Sequence, residues 1–232
     1  IFNSRCSNFG RSIKLMSNDL KQAIQREYLQ CVKSPAHFMK KYCTIQHPTK
    51  GKIKFGLYDY QENMLTDFVD NRYNIILKSR QLGISTLSAG YGLWLMLFNP
   101  DKNILVIAKD KDTAKNLVTK VRVMYSGLPQ WLKTQVTEDN KLSLVFKNGS
   151  QIKAVAATAE AGRSEALSLL IIDEAAFIDN IDSIWTAAQQ TLATGGDCIA
   201  LSTPNGVGNW FHQQWNGAID GTNNFKTIKL HW

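Results

Sequence analysis

Residues Ile76–Gly90 read "ILKSRQLGISTLSAG". The first residues close an apolar run, "YNIILK", of strand length. The last residues open an apolar-periodic stretch, "STLSAGYGLWLMLF", of helix length. Between them lies a short polar loop with one glycine, Gly83. A strand that feeds a glycine-containing turn and then a helix N-terminus is the layout of a phosphate cradle, because the first amides of a helix have no internal partner and face an anion. In the common form, GxxxxGK followed by Ser or Thr, a lysine stands directly after the last glycine. Here Ile84 occupies that place and Lys78 occupies the place of the first glycine. An ordinary strand-to-helix turn capped by Ser85 or Thr86 would leave the same trace.

Outward from this loop the pattern is regular. "YDYQENMLTDFVDN" before it suits a helix, "KNILVIAK" after it a buried strand, and "KDTAKNLVTKVRVMYSGL" a further helix. "KLSLVFKNGSQIKAVAA" reads as two strands around an Asn-Gly turn. "LSLLIIDEAAF" is a strand ending in acids, "NIDSIWTAAQQTLA" a helix, and "GDCIALSTPNG" a strand ending in a polar loop. "GNWFHQQWNGAI" and "FKTIKLHW" supply a last helix and strand. Apolar strands alternating with helices predict an α/β fold of the P-loop NTPase type, with a mainly parallel central sheet flanked by helices. The working loops of such a sheet lie at the carboxyl ends of its strands, so "SRQLGIS", "DEAAF" and "STPNG" should gather on one edge.

Residues 1–50 form a different region, a polar basic arm over about 16 residues followed by a small helical extension, "SNDLKQAIQREYLQCVKS" and "PAHFMKKYC". "HPTKGKIKFG" reads as a turn with a short strand or extended linker into a core over 51–232. The four cysteines and four histidines show no metal-ligand spacing, and no apolar run has the ~18–20 residues of a membrane span. A net charge of +8 is compatible with a polyanionic partner and equally with plain solubility.

The chemistry concentrates on three loops. Asp173 and Glu174 stand together at the mouth of an apolar strand, where like charges would repel unless used. In a nucleotide site, Asp173 and Ser85 can hold magnesium while Glu174 orients and deprotonates the water that attacks the terminal phosphate. Ser79, Arg80, Gln81, Leu82, Gly83, Ile84, Ser85 and Thr86 would wrap the phosphates. Ser202, Thr203 and Asn205 can hydrogen-bond to phosphate, water or the acids. Gln61 can pair with a base edge, with Tyr58 or Tyr60 stacked on the ring. Isoleucine cannot supply the missing positive charge, so Lys78, flexible at the strand end, or Arg80, a rigid fork inside the loop, must do so if the site works. Arg163, in "TAEAGRSEALS", can reach a phosphate in its own or a neighbouring subunit, or sit in solvent or on DNA. Lys111, Lys115 and Lys120 can contact nucleic-acid backbone or form the solvated face of their helix.

Taken in order, "YDYQENML", "LKSRQLGISTLSA", "LLIIDEAAFIDN" and "LSTPNG" resemble the ATPase domain of the large terminase subunit of tailed bacteriophages, over roughly residues 40–232. The resemblance implies ATP and Mg2+ as cofactors, Gln61 at the adenine, Arg80 sensing phosphate within its own subunit, Asp173 on magnesium and Glu174 in catalysis. It further implies that Ser202 to Gly206 couples hydrolysis to movement. The partners it implies are double-stranded DNA, a portal protein, a small terminase subunit and a homo-oligomeric ring, usually a pentamer. It would work in the host cytoplasm, transiently at the procapsid portal vertex. Ile84 departs from members with lysine there and agrees with members whose basic residue opens the loop, as Lys78 does. Large terminases continue into an RNase-H-like nuclease domain, expected in the parent protein; no nuclease activity is assigned to this chain. A helicase-like ATPase and a scaffold with an impaired site remain the alternatives.

Overall fold

The computed structural model describes residues 18–47, 49–158, 161 and 166–230. The expected arm over the first 16 residues lies outside this set. Helix α1 (Asn18–Lys33) turns at Ser34 into α2 (Pro35–Tyr42), where the Ser34 hydroxyl caps the new helix by accepting from the His37 amide at 3.1 Å. The next segment, read from sequence as a turn with a short strand or extended linker, takes the strand form. Strands β1 (Thr44–His47) and β2 (Gly51–Lys54) pair as an antiparallel hairpin whose turn falls at the expected border between extension and core.

The core then alternates: α3 (Asp59–Asp70), β3 (Tyr73–Leu77), α4 (Ile84–Phe98), β4 (Asn103–Ala108) and α5 (Lys111–Ser126). After a short 3-10 turn come β5 (Val136–Asn140), β6 (Ser143–Phe146), β7 (Gln151–Ala156) and β8 (Leu169–Asp173). The chain ends with α6 (Ile181–Leu192), β9 (Asp197–Ser202), α7 (Trp210–Ile219) and β10 (Phe225–Lys229). The eight-stranded sheet has the order β10-β3-β9-β8-β4-β7-β6-β5. Its first six strands are parallel, and the β7-β6-β5 meander closes the far edge antiparallel. β5 was not legible because its sequence, "VTEDN", is polar and largely exposed, as suits an edge strand that must not recruit another chain.

Successive strand residues feed opposite faces, as the two-residue period requires. Ile76 and Ile171 join the core beneath α1–α5, whereas Ile75 and Ile172 join the core beneath α6 and α7. The helical extension is part of the first of these cores. Phe38 and Met39 are fully buried there with Leu87 and Met124, and the Trp94 indole donates to the Cys31 carbonyl at 2.8 Å. Glu27 knots α1 to α2: its carboxylate meets His37 Nε2 at 2.7 Å and Lys41 Nζ at 2.7 Å. Burial pushes the Glu27 carboxyl up, but hydrogen bonds from Lys41, His37 and Tyr42 together outweigh it and hold the pKa at about 2. No helix among the described residues is long and apolar enough to cross a membrane.

Candidate functional site

Strand order places the three polar loops side by side. β9 lies between β3 and β8, with Leu77 opposite Ser202 and Asp173 opposite Leu201. The Lys78 amide extends that ladder by donating to the Ser202 carbonyl at 3.0 Å. All three loops therefore leave the same edge of the sheet, as the apolar runs predicted.

The loop after β3 is bent by two left-handed residues, Gln81 (φ 64°) and Gly83 (φ 74°). Gly83 is the N-cap of α4, so neither Ser85 nor Thr86 takes that role. The start of α3 holds the loop in shape. Tyr60 Oη donates to the Leu82 carbonyl at 2.9 Å and Gln61 Nε2 donates to the same oxygen at 3.0 Å. The other end of the Gln61 amide accepts from the Tyr58 backbone N–H at 3.2 Å. Gln61 is only 2% exposed, so its amide is engaged on the loop backbone in this arrangement. Tyr58 stacks on Tyr60 with ring centroids 5.6 Å apart and its ring stands well exposed.

Ile84, which stands in the place of the common lysine, is not in the loop at all. It is the first residue of α4, 1% exposed, and belongs to the core beneath that helix. Ser85 follows it and its hydroxyl hydrogen-bonds to the Asp173 carboxylate. Burial pushes the Asp173 carboxyl up and the Glu174 charge adds to this, while the Ser85 bond and the charges of Lys78 and Lys120 oppose it.

Glu174 sits just past the end of β8 in a left-handed conformation (φ 54°), uncommon for a side chain without a compensating local role. The turn lets its amide donate to Asp173 Oδ1 at 3.0 Å and aims its carboxylate back across the sheet edge. There Lys78 Nζ donates to Oε1 at 3.1 Å and the Thr203 hydroxyl donates to Oε2 at 3.3 Å. Lys78 is buried to 8% exposure while the Glu174 side chain is 27% exposed, so the lysine end of this ion pair is shielded and the carboxylate still meets water. The loop after β9 is stapled to the acidic loop through one residue: Ser202 Oγ accepts from the Ala176 amide at 3.1 Å, and Asn205 Nδ2 donates to the Ala176 carbonyl at 2.9 Å.

The structure thus brings together Lys78, Ser85, Asp173, Glu174 and Thr203, with Tyr60 and Gln61 bound to the loop from outside. Ser79 and Leu82 are half-buried in that loop. Arg80 is exposed, with no ion-pair partner among the described residues. Asn205 reaches the acidic loop rather than the loop after β3. Arg163 lies outside the described residues. Lys111 is exposed and Lys115 half-buried; Lys120, read either as a nucleic-acid contact or as part of the solvated helix face, is half-buried, with Asp173 and Lys78 as electrostatic neighbours. The readable sign was its spacing, three residues after Leu117 and four before Met124, on the apolar stripe of α5.

A mainly parallel sheet whose edge carries a glycine-capped helix start and a lysine after one strand, and an acid pair at the end of the next strand but one, defines a P-loop NTPase-type α/β domain. The family model "Terminase large subunit, T4likevirus-type, N-terminal" matches residues 75–231, and the chain belongs to that family. Among solved structures it is similar to the Thermus phage P74-26 large terminase ATPase domain, at 20% identity and TM-score 0.60, over 75% of this chain and 81% of that one. The HK97 bacteriophage large terminase matches at 18% identity and TM-score 0.67, over 85% of this chain and 43% of that one. A large terminase from a thermophilic bacteriophage, solved with ADP, matches at 17% identity and TM-score 0.60, over 75% and 45%. The chain therefore spans under half the length of the longer terminases it matches.

Proposed function

We propose that this chain is the ATPase part of a viral DNA-packaging motor, using Mg2+-dependent ATP hydrolysis to drive double-stranded DNA into a procapsid. The observation that carries this reading is the 3.1 Å contact between Lys78 and Glu174 across the loop edge, beside the Ser85–Asp173 pair. Family membership and the ADP complex of a structural relative support it.

Each residue has a role that its geometry permits. The amides of Gly83, Ile84 and Ser85, in the first turn of α4, have no intrahelical partner and suit phosphate oxygens. Ser79 to Leu82 wall that cradle, and Thr86 closes it from the helix. Ser85 and Asp173 offer hard oxygen donors already in contact, which fits magnesium and its preference for carboxylate and hydroxyl ligands. When bound, that ion neutralises charge on the phosphates. Glu174 orients the attacking water and takes its proton. Thr203 and Lys78 fix its two oxygens, so the base is held in one orientation before substrate arrives. Lys78 supplies the positive charge that Ile84 lacks, from the strand end rather than the helix start, and Arg80 adds a second cation at the exposed rim.

Tyr58 and Tyr60 present a stacked aromatic face for the base, with Gln61 linking that end of the site to the phosphate loop. Asn205 and Ser202 pass any shift of the acidic loop to the segment after β9. Arg163 acts on phosphate in its own or a neighbouring subunit, or on DNA. The domain division is an extension over 1–50 and an ATPase core over 51–232. The partners are duplex DNA, bound through basic side chains without sequence readout, a portal protein, a small terminase subunit and a ring of copies of this chain. The setting is the host cytoplasm and, during packaging, the portal vertex.

The test is ATP hydrolysis by the chain and its Glu174→Gln variant, at high protein concentration, with Mg2+ or EDTA and with or without duplex DNA. The expected result is Mg2+-dependent turnover that falls by about 10²-fold or more in the variant. Turnover that survives Glu174→Gln unchanged would remove Glu174 from the mechanism. Duplex unwinding in place of translocation would favour the helicase alternative.

A further inference from the structure

The helical extension brings together three side chains of the kinds that bind transition metals. Glu27 and Cys31 stand four residues apart on α1, so they share one face. The turn at Ser34 then returns His37, in the first turn of α2, to that face. His37 Nε2 lies 2.7 Å from Glu27 Oε1, and Cys31 Sγ lies 3.9 Å from the same oxygen. A carboxylate oxygen, an imidazole nitrogen and a thiol sulfur thus all lie within 4.8 Å of one another. Spacing along the chain does not show the group, because only the turn closes it. Tetrahedral zinc, with bonds of about 2.0–2.3 Å, sets its ligand atoms about 3.3–3.6 Å apart, so shifts of about an ångström would seat it here.

The supports of the group are fixed. Lys41 Nζ holds the second Glu27 oxygen, Oε2, at 2.7 Å, which leaves Oε1 turned toward His37 and Cys31. The His37 amide is tied to the Ser34 hydroxyl at 3.1 Å, and the Trp94 indole binds the Cys31 carbonyl at 2.8 Å. Cys31 is fully buried, while the His37 side chain is 34% exposed and that of Glu27 18%. The group is therefore closed behind the sulfur and open to water beside the imidazole. A salt-bridge knot uses His37 and Lys41; a thiol aimed at the same carboxylate oxygen is what a metal site adds. We propose that Glu27, Cys31 and His37 form a zinc-binding site, with water as the fourth ligand, that clamps α1 to α2. Sulfur and nitrogen donors favour zinc over magnesium, which prefers oxygen ligands. On binding, the Cys31 thiol releases its proton to water and the sulfur–metal bond takes its place. The site shares no residue with the sheet edge, so it stands apart from the nucleotide reading.

The experiment titrates the reduced, metal-free chain with Co2+, whose spectrum reports its ligands, and then adds Zn2+ or an excess of Mg2+. The unaltered chain is compared with Cys31→Ser and His37→Gln. At about one equivalent the unaltered chain should show a sulfur-to-cobalt charge-transfer band and the strong visible bands of four-coordinate cobalt. Zn2+ should abolish both, and Mg2+ should leave them. Cys31→Ser should lose the charge-transfer band, and His37→Gln should bind Co2+ about tenfold more weakly or worse. Zn2+ should raise the Tm of the unaltered chain and leave that of both variants unchanged. No charge-transfer band in the unaltered chain, or a band that Mg2+ removes as readily as Zn2+, would overturn the proposal. A band that persists in folded Cys31→Ser would do the same, since another thiol would then carry it. If Cys31→Ser does not fold, His37→Gln decides, and an unchanged Co2+ affinity there overturns the site.

Discussion

Substituting Gly83 by alanine tests how the phosphate loop is held. Gly83 has φ 74°, a conformation that costs a residue with a Cβ about 1 kcal/mol. A Cβ built there would also lie 2.9 Å from Gln61 Nε2, closer than side chains tolerate. Gln61, in the first turn of α3, is buried and cannot swing into solvent, so relief means loosening its 3.0 Å bond to Leu82 or its 3.2 Å bond from Tyr58. Each bond contributes about 1 kcal/mol net. The expected loss for Gly83→Ala is therefore about 2–3 kcal/mol, or roughly 5–10 °C in Tm for a domain of this size. The assay is denaturant unfolding of Gly83→Ala, Gln61→Ala and the double variant. In the Gln61→Ala background the clash is gone, and Gly83→Ala should cost only the backbone strain, about 1 kcal/mol. Equal costs in both backgrounds would refute the claim that Gln61 braces the loop. A cost below about 0.5 kcal/mol would refute the left-handed cap itself.

Restoring the common lysine by Ile84→Lys should not improve the site. It removes a fully buried isoleucine and drives an ammonium toward the core, so unfolding should show a loss of about 2–4 kcal/mol with no gain in ATP turnover. The Glu27 knot predicts an acid-side loss of stability. Its folded pKa, about 2, lies below the ordinary 4.5, so its contribution is fully present above 4.5 and disappears as pH falls from there toward 2. After allowance for solvent screening this amounts to roughly 1–2 kcal/mol, read as a flatter acid limb of Tm against pH in Glu27→Gln.

Much of this protein is written in local pattern. Apolar runs of strand length such as "LLIID" and "CIALS", bounded by polar loops and separated by helices, point to buried parallel strands, which gathers the loops carrying Lys78, Asp173 and Thr203 on one edge. Adjacent carboxylates at a strand mouth were legible for the same reason: burial makes them costly and therefore informative. What sequence could not show are the relations that depend on direction and distance. Ile84 turns into the core because the helix already begins at that residue, with Gly83 and not Ser85 or Thr86 as its cap. Gln61 spends its amide on the loop because α3 crosses close beneath Leu82. Glu27, His37 and Lys41 meet because one turn folds α1 back onto α2. Periodicity determines which face of an element is buried; which side chains meet across those faces is decided by how the elements pack.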